Sequence, residues 1–316
     1  FTWLDEFSFS LTLYFHKEHQ NKHLRDGACM TADLQNLLNW SIPTARQKIA
    51  PKDVMLYGLA IGLGGDPLDE RQLRYVYESD LRVAPTMAAV LAYPGFWQKE
   101  PGTGLDWVRL LHAEQSIEIH APLPTNAELI GTTRITGVVD KGADKGSLMY
   151  QSRDITNAET NELIATSSMT SFCRGDGGIG NYGDAPAPAA EIPDTPADAV
   201  CDMTTLPQSA LLYRLCGDMN PLHVDPSTAR AAGFDRPILH GLCTFGVCGH
   251  AILKAICDYD GSRLKSMRVR FSAPVYPGET LRTEFWRVTP TDIRFRSRIV
   301  ERDLLVLNNG QALLTH

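Results

Sequence analysis

Apolar and polar residues recur with two different periods along this chain. Period-two alternation, typical of half-buried strands, predicts strands at residues 113–120, 127–138, 146–154, 163–173, 265–272, 279–288 and 291–307. Helix-like patterns lie between them, at residues 51–62, 84–92, 207–215, 226–232 and 241–257. From Leu242 to Ile256 the chain is apolar nearly all round, which indicates a buried helix. We therefore expect an α+β protein with antiparallel sheets.

A segment rich in glycine and proline divides the chain into two parts. Residues 174–198 contain five glycines, four prolines and few large apolar side chains, a composition typical of a linker. The length of 316 residues suits two domains of ordinary size. We predict an N-terminal domain over residues 30–173 and a C-terminal domain over residues 199–316. Residues 1–29 mix aromatic and polar residues, and we expect them to be extra sequence, poorly ordered and irrelevant to function.

Polar side chains concentrate at one turn in the second part. Residues 213–223 contain Asp218, Asn220 and His223 around Pro221. The proline fixes its own φ and pushes Asn220 out of the helical region, so the three side chains converge on a turn. A carboxylate and an imidazole placed together can hold one water and exchange protons with it. The alternative is a merely structural capped turn with a buried histidine.

The second candidate feature is Gly241, at the predicted start of the buried helix. The first turn of a helix has unpaired N–H groups and the positive end of the helix dipole. A glycine there lets a substrate oxygen approach these groups closely. The position is therefore a candidate oxyanion hole, although most long apolar helices serve only as core.

These features together resemble a known family. From Tyr213 through His223, and again at His240 and Gly241, the sequence is similar to the signature of the MaoC-like, (R)-specific type-2 enoyl-CoA hydratases. The similarity runs without a gap across residues 211–252. It implies a double hot-dog fold, in which two antiparallel sheets each wrap around a central helix.

The resemblance also implies a reaction and the residues that perform it. The reaction is reversible hydration of trans-2-enoyl-CoA to (3R)-3-hydroxyacyl-CoA in β-oxidation of fatty acids or side chains. The catalytic pair falls on Asp218 and His223, the active-site asparagine on Asn220, and the donor to the thioester carbonyl on the N–H of Gly241. No cofactor is implied, since coenzyme A is part of the substrate. A dehydratase acting on acyl-carrier protein, an acyl-CoA thioesterase and a non-catalytic acyl-CoA binding module remain alternatives.

A weak internal repeat supports two similar units. Tyr57 lies 156 residues before Tyr213, and the same offset places Gly62 opposite Asp218. The catalytic histidine is likewise matched by a proline in the first part. The N-terminal unit is therefore expected to bind the acyl chain without contributing the acid–base pair.

The first-unit helix is expected to be short. Residues 84–92 are followed by Tyr93, Pro94 and Gly95, which would interrupt a central helix. Such an interruption would leave room for long, branched or steroid-side-chain acyl groups.

Charge limits the partners. The net charge of −7, with no basic stripe, argues against nucleic acid as the main partner. No apolar run approaches the length of a membrane span. An acyl-CoA ester carries phosphates that need local cations, and the candidates are Lys141, Lys145, Arg268 and Arg270.

The cysteines favour a reducing compartment. The seven cysteines form no CxxC pair and lack the spacing of zinc ligands, so no metal site is expected. The sequence ends in Leu-Leu-Thr-His, unlike a Ser-Lys-Leu peroxisomal signal. We predict the cytoplasm of a bacterium, with a peroxisome as the alternative if a C-terminal signal has been lost. A homodimer is a secondary expectation.

Overall fold

The protein is built around one antiparallel sheet. The computed structural model describes residues 32–189 and 191–315, which contain a sheet of ten strands. The strands are β1 (Ala45–Ile49), β2 (Leu110–Ile119), β3 (Ala127–Asp140), β4 (Ser147–Asn157), β5 (Leu163–Cys173), β6 (Ala199–Thr204), β7 (Leu264–Phe271), β8 (Thr280–Arg287), β9 (Asp292–Ile299) and β10 (Leu304–Leu314). They are hydrogen-bonded in the order β1-β3-β4-β5-β2-β7-β10-β9-β8-β6. The prediction made for residues 1–29 lies outside the described residues.

Two five-stranded halves meet at the centre of this sheet. β1 to β5 come from the N-terminal part and β6 to β10 from the C-terminal part. The halves join where Glu114 to Glu118 of β2 pair with Arg270 to Ser266 of β7. The α+β class with antiparallel sheets is confirmed, and the two expected sheets are joined edge to edge into one.

The helices are few and short. In the described residues they are α1 (Leu34–Asn39), α2 (Pro51–Ala60), α3 (Glu70–Leu73), α4 (Ser209–Tyr213), α5 (Pro226–Ala231) and α6 (Gly241–Ala255). The helices predicted at residues 51–62, 207–215, 226–232 and 241–257 are confirmed, with small shifts at their ends. Asp225 accepts a hydrogen bond from Ser227 N–H and Pro226 follows it, so the predicted start of α5 is also confirmed.

The longest helix, α6, is the core element of the C-terminal half. Every residue from Cys243 to Leu253 is buried. The helix packs against β6, β7 and β8 of its own half and against a short 3₁₀ turn of the other half. A Cβ atom at Gly246 would overlap Ile61, and one at Gly249 would overlap Thr86. Glycines at these positions therefore allow close contact between the two halves.

The N-terminal counterpart of α6 is much smaller. The predicted helix at residues 84–92 is a 3₁₀ helix, Pro85–Ala89, and no α-helix forms there. Ala92 then has a positive φ of 46°, a backbone conformation that a helix cannot contain. The expected interruption is confirmed, but the helical stretch is shorter than the sequence predicted.

The predicted linker lies against the sheet. Tyr182 forms a bridge with Val138 of β3. Further along, the carbonyl of Ala187 accepts a hydrogen bond from Arg268, and the carbonyl of Thr195 accepts one from Trp286 Nε1. These contacts attach the segment to both halves of the sheet.

The sequence missed both edges of the sheet. β1 and β6 are its outermost strands and were not predicted, because short edge strands show little hydrophobic alternation. The single strand predicted at residues 291–307 is wrong. It is a hairpin, β9 and β10, whose turn includes Asp303 with a positive φ of 46°.

Candidate active site

Hydrogen bonds from main-chain N–H groups to side-chain oxygens build the polar turn, residues 217–223, which we call the acid–base turn. Gly217 exits the preceding 3₁₀ helix with φ of 124°, a conformation that favours glycine. Asp218 Oδ1 accepts a hydrogen bond from Asn220 N–H at 3.1 Å. Asn220 Oδ1 accepts one from Leu222 N–H at 3.0 Å and caps a 3₁₀ helix, Pro221–His223. The turn that the proline predicts is confirmed, and the amide oxygen of Asn220 helps to form it.

The buried imidazole of His223 has one nitrogen committed and one free. Its Nδ1 lies 2.9 Å from the carbonyl oxygen of Ile238, so Nδ1 carries the proton and donates it. The Nε2 atom consequently presents a lone pair. Burial lowers the pKa of His223 below its ordinary value. The ring is therefore neutral near pH 7 and can accept a proton.

His240 lies directly against His223. The two ring centroids are 3.7 Å apart with an angle of 27° between the planes. His240 Nε2 donates a hydrogen bond to the main-chain carbonyl of Asp218 at 3.2 Å. Burial, and then the neighbouring His223, lower the pKa of His240 to about 4. In the sequence, His240 was noted only as the residue before Gly241.

Gly241 begins α6, as the sequence predicted. As the first helical residue, its N–H has no acceptor within the helix. A Cβ at this position would lie 3.4 Å from the ring of Phe271. The helix start, the acid–base turn and Phe271 thus meet in one region of the C-terminal half.

The N-terminal half contributes two neighbours that the sequence did not reveal. Burial lowers the pKa of His112 to about 4. Hydrogen bonding and the charge of Asp218 oppose this shift in part. The His112 ring is 4.9 Å from that of Phe271. Asp218 also contributes, after burial, to raising the pKa of Tyr93 to about 12. Neither residue lies in a motif, so only folding brings them to the acid–base turn.

The four candidate CoA-binding cations are not brought to this site. Lys141 and Lys145 are exposed in the turn between β3 and β4. Arg268 pairs with Glu114 at 3.2 Å and donates to the Ala187 carbonyl. Met267 and Val269 belong to the core, so the alternation of β7 places Arg268 and Arg270 on the opposite, outer face. These four assignments remain predictions without a structural argument in their favour.

Three side chains of the site are spaced closely enough to hold a metal ion. Asp218, His223 and His240 each offer a ligand atom, and these atoms lie within 4.8 Å of one another. However, the two imidazole rings are nearly parallel, so their nitrogen lone pairs do not converge on one point. One nitrogen of each ring also contacts a carbonyl oxygen. The arrangement suits a water held between acid and base better than an ion.

A small cavity lies beside the acid–base turn. It measures about 50 Å³, and its lining includes Met87, Val90, Leu56, Leu215 and Cys216. It thus lies where the short 3₁₀ helix replaces a central helix. The roomy pocket that the sequence suggested stays a prediction.

Comparison with protein families divides the chain in the same place as the linker. Residues 48–175 match the MFE-2 hydratase 2 N-terminal domain, and residues 188–309 match the MaoC like domain. A probable enoyl-CoA hydratase 2 of Dictyostelium discoideum is 35% identical over 295 residues, covering 90% of this chain and 97% of the relative. The chain belongs to the MaoC-like type-2 enoyl-CoA hydratase family. A relative in this family from Arabidopsis thaliana, called enoyl-CoA hydratase 2, peroxisomal, is 38% identical, covering 86% of this chain and 92% of the relative.

Solved structures share the fold. The MaoC-like dehydratase of Phytophthora Capsici superposes with a TM-score of 0.80 at 33% identity, covering 90% of this chain and 99% of that one. A Mycobacterium tuberculosis protein described as a double hotdog fold superposes with a TM-score of 0.50 at 16% identity, covering 87% and 94%. The double hot-dog fold implied by the sequence is confirmed.

Proposed function

We propose that this protein catalyses the reversible hydration of trans-2-enoyl-CoA esters to (3R)-3-hydroxyacyl-CoA esters. One observation supports the proposal most directly. A carboxylate oxygen of Asp218 lies within 4.8 Å of a ring nitrogen of the neutral His223, beside the first turn of α6. Membership of the type-2 enoyl-CoA hydratase family supports the same reaction.

The two side chains hold the attacking water. His223 Nε2 and a carboxylate oxygen of Asp218 are both acceptors, so one water can donate one hydrogen to each. Its oxygen lone pair then faces the β-carbon of the enoyl group. As the C–O bond forms, the pair takes one proton from the water and later returns it to the α-carbon. The proton affinities of Asp218 and His223 are coupled, so we assign the proton transfer to the pair and not to one member.

Gly241 stabilises the charge that develops during the attack. Electrons from the double bond move to the thioester oxygen, which becomes an enolate. The N–H of Gly241 has no acceptor within α6 and lies at the positive end of the helix. It is therefore the donor that we assign to this oxygen.

Substitution of the acid–base pair tests the proposal. We expect Asp218→Asn and His223→Ala each to lower kcat for crotonyl-CoA by roughly 10²–10⁴-fold, since proton transfer is lost. The rate is measured as the loss of ultraviolet absorbance of the conjugated thioester. Asp225→Asn is the matched control, because it keeps a good helix N-cap and should retain nearly full activity. Full activity in both pair variants, with circular dichroism unchanged, would refute the assignment.

Three further assays separate the alternatives. Release of free thiol from saturated acyl-CoA would identify a thioesterase. A preference for carrier-protein-bound over CoA-bound substrate would identify the dehydratase alternative. Ligand binding without turnover would identify a binding module.

A separate assay determines the configuration of the product. Coupling the product to dehydrogenases specific for each enantiomer determines the configuration at the β-carbon, which we expect to be R.

The compartment that we propose is the peroxisome, in place of the bacterial cytoplasm expected from the sequence. The support is the peroxisomal relative at 38% identity. Among the residues that the structure describes, none of the helices combines the length and apolar character needed to cross a bilayer. Imaging the full-length gene product fused to a fluorescent protein, beside a peroxisomal marker, tests the compartment; diffuse cytosolic signal would contradict it.

A further inference from the structure

Four aromatic rings lie next to one another in succession from the core to the acid–base turn. Tyr57 of α2, Tyr213 of α4, His240 and His223 follow one another with centroid separations of 6.1, 5.1 and 3.7 Å. We call these four residues the aromatic column. The first three are only 1% exposed and His223 is 8% exposed, so the column is buried along its length. It begins in the N-terminal half and ends at a candidate catalytic side chain in the C-terminal half.

The third ring of this column carries a polar atom that packing does not explain. His240 Nδ1 is buried and has no hydrogen-bond partner among the described residues. An unpaired buried acceptor costs free energy, and a phenyl ring at this position would fill similar space without that cost. What the imidazole adds is its Nε2–H, which donates to the main-chain carbonyl of Asp218. Residue 240 thus touches both candidate catalytic residues.

We propose that His240 is a positioning residue, which sets the ring plane of His223 by stacking and the position of Asp218 by its hydrogen bond, with Tyr213 and Tyr57 as a rigid support behind it. This inference rests on the proposed hydratase function. One residue then fixes the separation of the acid and the base. Because Tyr57 comes from the N-terminal half, the half without the catalytic pair also helps to position that pair.

The proposal has two separable parts. Stacking restrains the His223 ring, which also donates a hydrogen bond from Nδ1 to the Ile238 carbonyl. The hydrogen bond restrains the backbone of Asp218, whose side chain is otherwise exposed. His240→Phe keeps a ring and removes the donor, His240→Gln keeps a donor and removes the stack, and His240→Ala removes both.

The stack also shields His223 from solvent. The charged and titratable groups near the two histidines include Asp218, Arg214 and Tyr213. Removal of the His240 ring admits water to one face of His223, so the burial that keeps His223 neutral is weakened. The base must be neutral to accept a proton. The acid limb of the kcat/KM profile should therefore move to higher pH in His240→Ala and His240→Gln, and should stay in place in His240→Phe.

Steady-state kinetics with crotonyl-CoA test both parts. We expect kcat to fall about 10-fold in His240→Phe and in His240→Gln, and about 100-fold in His240→Ala, because small displacements of a reacting group cost rates of this order. KM should change by less than about 3-fold, since His240 does not contact substrate in this scheme. Should the alanine variant fail to fold, the phenylalanine variant still tests the hydrogen bond.

A buried histidine within α6, His250, is the matched control. His250 is 1% exposed and its Nδ1 donates to the Ile61 carbonyl, but it contacts neither Asp218 nor His223. His250→Gln should lower stability yet leave the acid limb unmoved. If the His240 variants behave like this control, with kcat near wild type, His240 belongs only to the core and the inference is overturned.

A spectroscopic measurement separates this inference from the proposed function. Nitrogen-15 NMR of the imidazoles reports the tautomer and the pKa of His223 with no substrate present. A higher pKa of His223 in His240→Gln than in wild type supports the positioning role even if hydration of crotonyl-CoA is absent. An unchanged tautomer and pKa in all three variants would overturn it even if hydration is present.

Discussion

At the scale of single residues, burial decides what the histidines of this protein can do. His223, His240 and His250 have pKa values below the ordinary value for histidine, and burial is the main cause in each. His223 combines a free ring nitrogen, Nε2, with the neighbouring carboxylate of Asp218. The sequence distinguished His223 through its spacing from Asp218 and Pro221. It gave no reason to single out His240, whose importance comes from a stacking contact.

The buried histidines predict that stability falls in weak acid. His240 and His250 keep pKa values of about 4 when folded, against the ordinary histidine value of 6.5. The unfolded chain therefore binds more protons between these values, so stability is complete above pH 6.5 and falls toward pH 4. At pH 5 each histidine should have lost roughly 2 kcal/mol of its contribution.

Urea unfolding at pH 7.5 and pH 5 measures this loss. Leucine cannot titrate, so His250→Leu should remove about half of the pH-dependent loss of unfolding free energy that His240 and His250 cause together. If the free energy of unfolding of the wild type does not change between the two pH values, these rings are not held neutral.

At the scale of elements, the two central segments of the hot dogs are unequal. α6 is a full buried helix, whereas Pro85–Ala89 is a single 3₁₀ turn. The contact between them depends on Gly249, where a Cβ would overlap Thr86. Two elements of different length can thus pack across the pseudo-symmetric interface.

This contact predicts that packing outweighs helix propensity at Gly249. Alanine is a better helix former than glycine by about 1 kcal/mol, so propensity alone predicts a more stable protein. The overlap with the buried Thr86 side chain should outweigh this gain. We expect Gly249→Ala to lower the free energy of unfolding in urea by roughly 1–3 kcal/mol. Addition of Thr86→Ser removes the methyl group and should recover part of the loss.

Lys254→Ala, at an exposed position of the same helix, is the control and should change stability little. Stabilisation of the protein by Gly249→Ala would mean that the two central segments do not pack as closely as described.

At the scale of the whole molecule, the sheet makes one body of the two halves. Main-chain hydrogen bonds run from β2 to β7, and the Arg268–Glu114 pair crosses the same junction. The former linker segment also contacts both halves. A single chain thus already contains the pair of hot dogs, and assembly into a homodimer stays a prediction.

This continuity predicts that the two halves unfold together. Trp97 belongs to the N-terminal half and Trp286 to the C-terminal half, and both are 3% exposed. Tryptophan fluorescence of Trp286→Phe follows mainly the N-terminal half, and that of Trp97→Phe gives more weight to the C-terminal half. We expect each variant to show one transition, which coincides with its loss of circular dichroism. The midpoints of the two variants can differ, because each substitution changes stability. Two separate transitions in either variant would indicate independent domains.

The sequence by itself determined the antiparallel α+β class, the acid–base turn and the buried helix that begins at Gly241. These features follow from local rules: the fixed φ of Pro221, the alternation of strands and the uniform apolarity of α6. Tertiary structure alone decided the joining of two sheets through β2 and β7, the approach of His112 and Tyr93, and the stacking of His240 on His223. Those contacts join residues far apart in the chain, and local periodicity carries no information about such pairs.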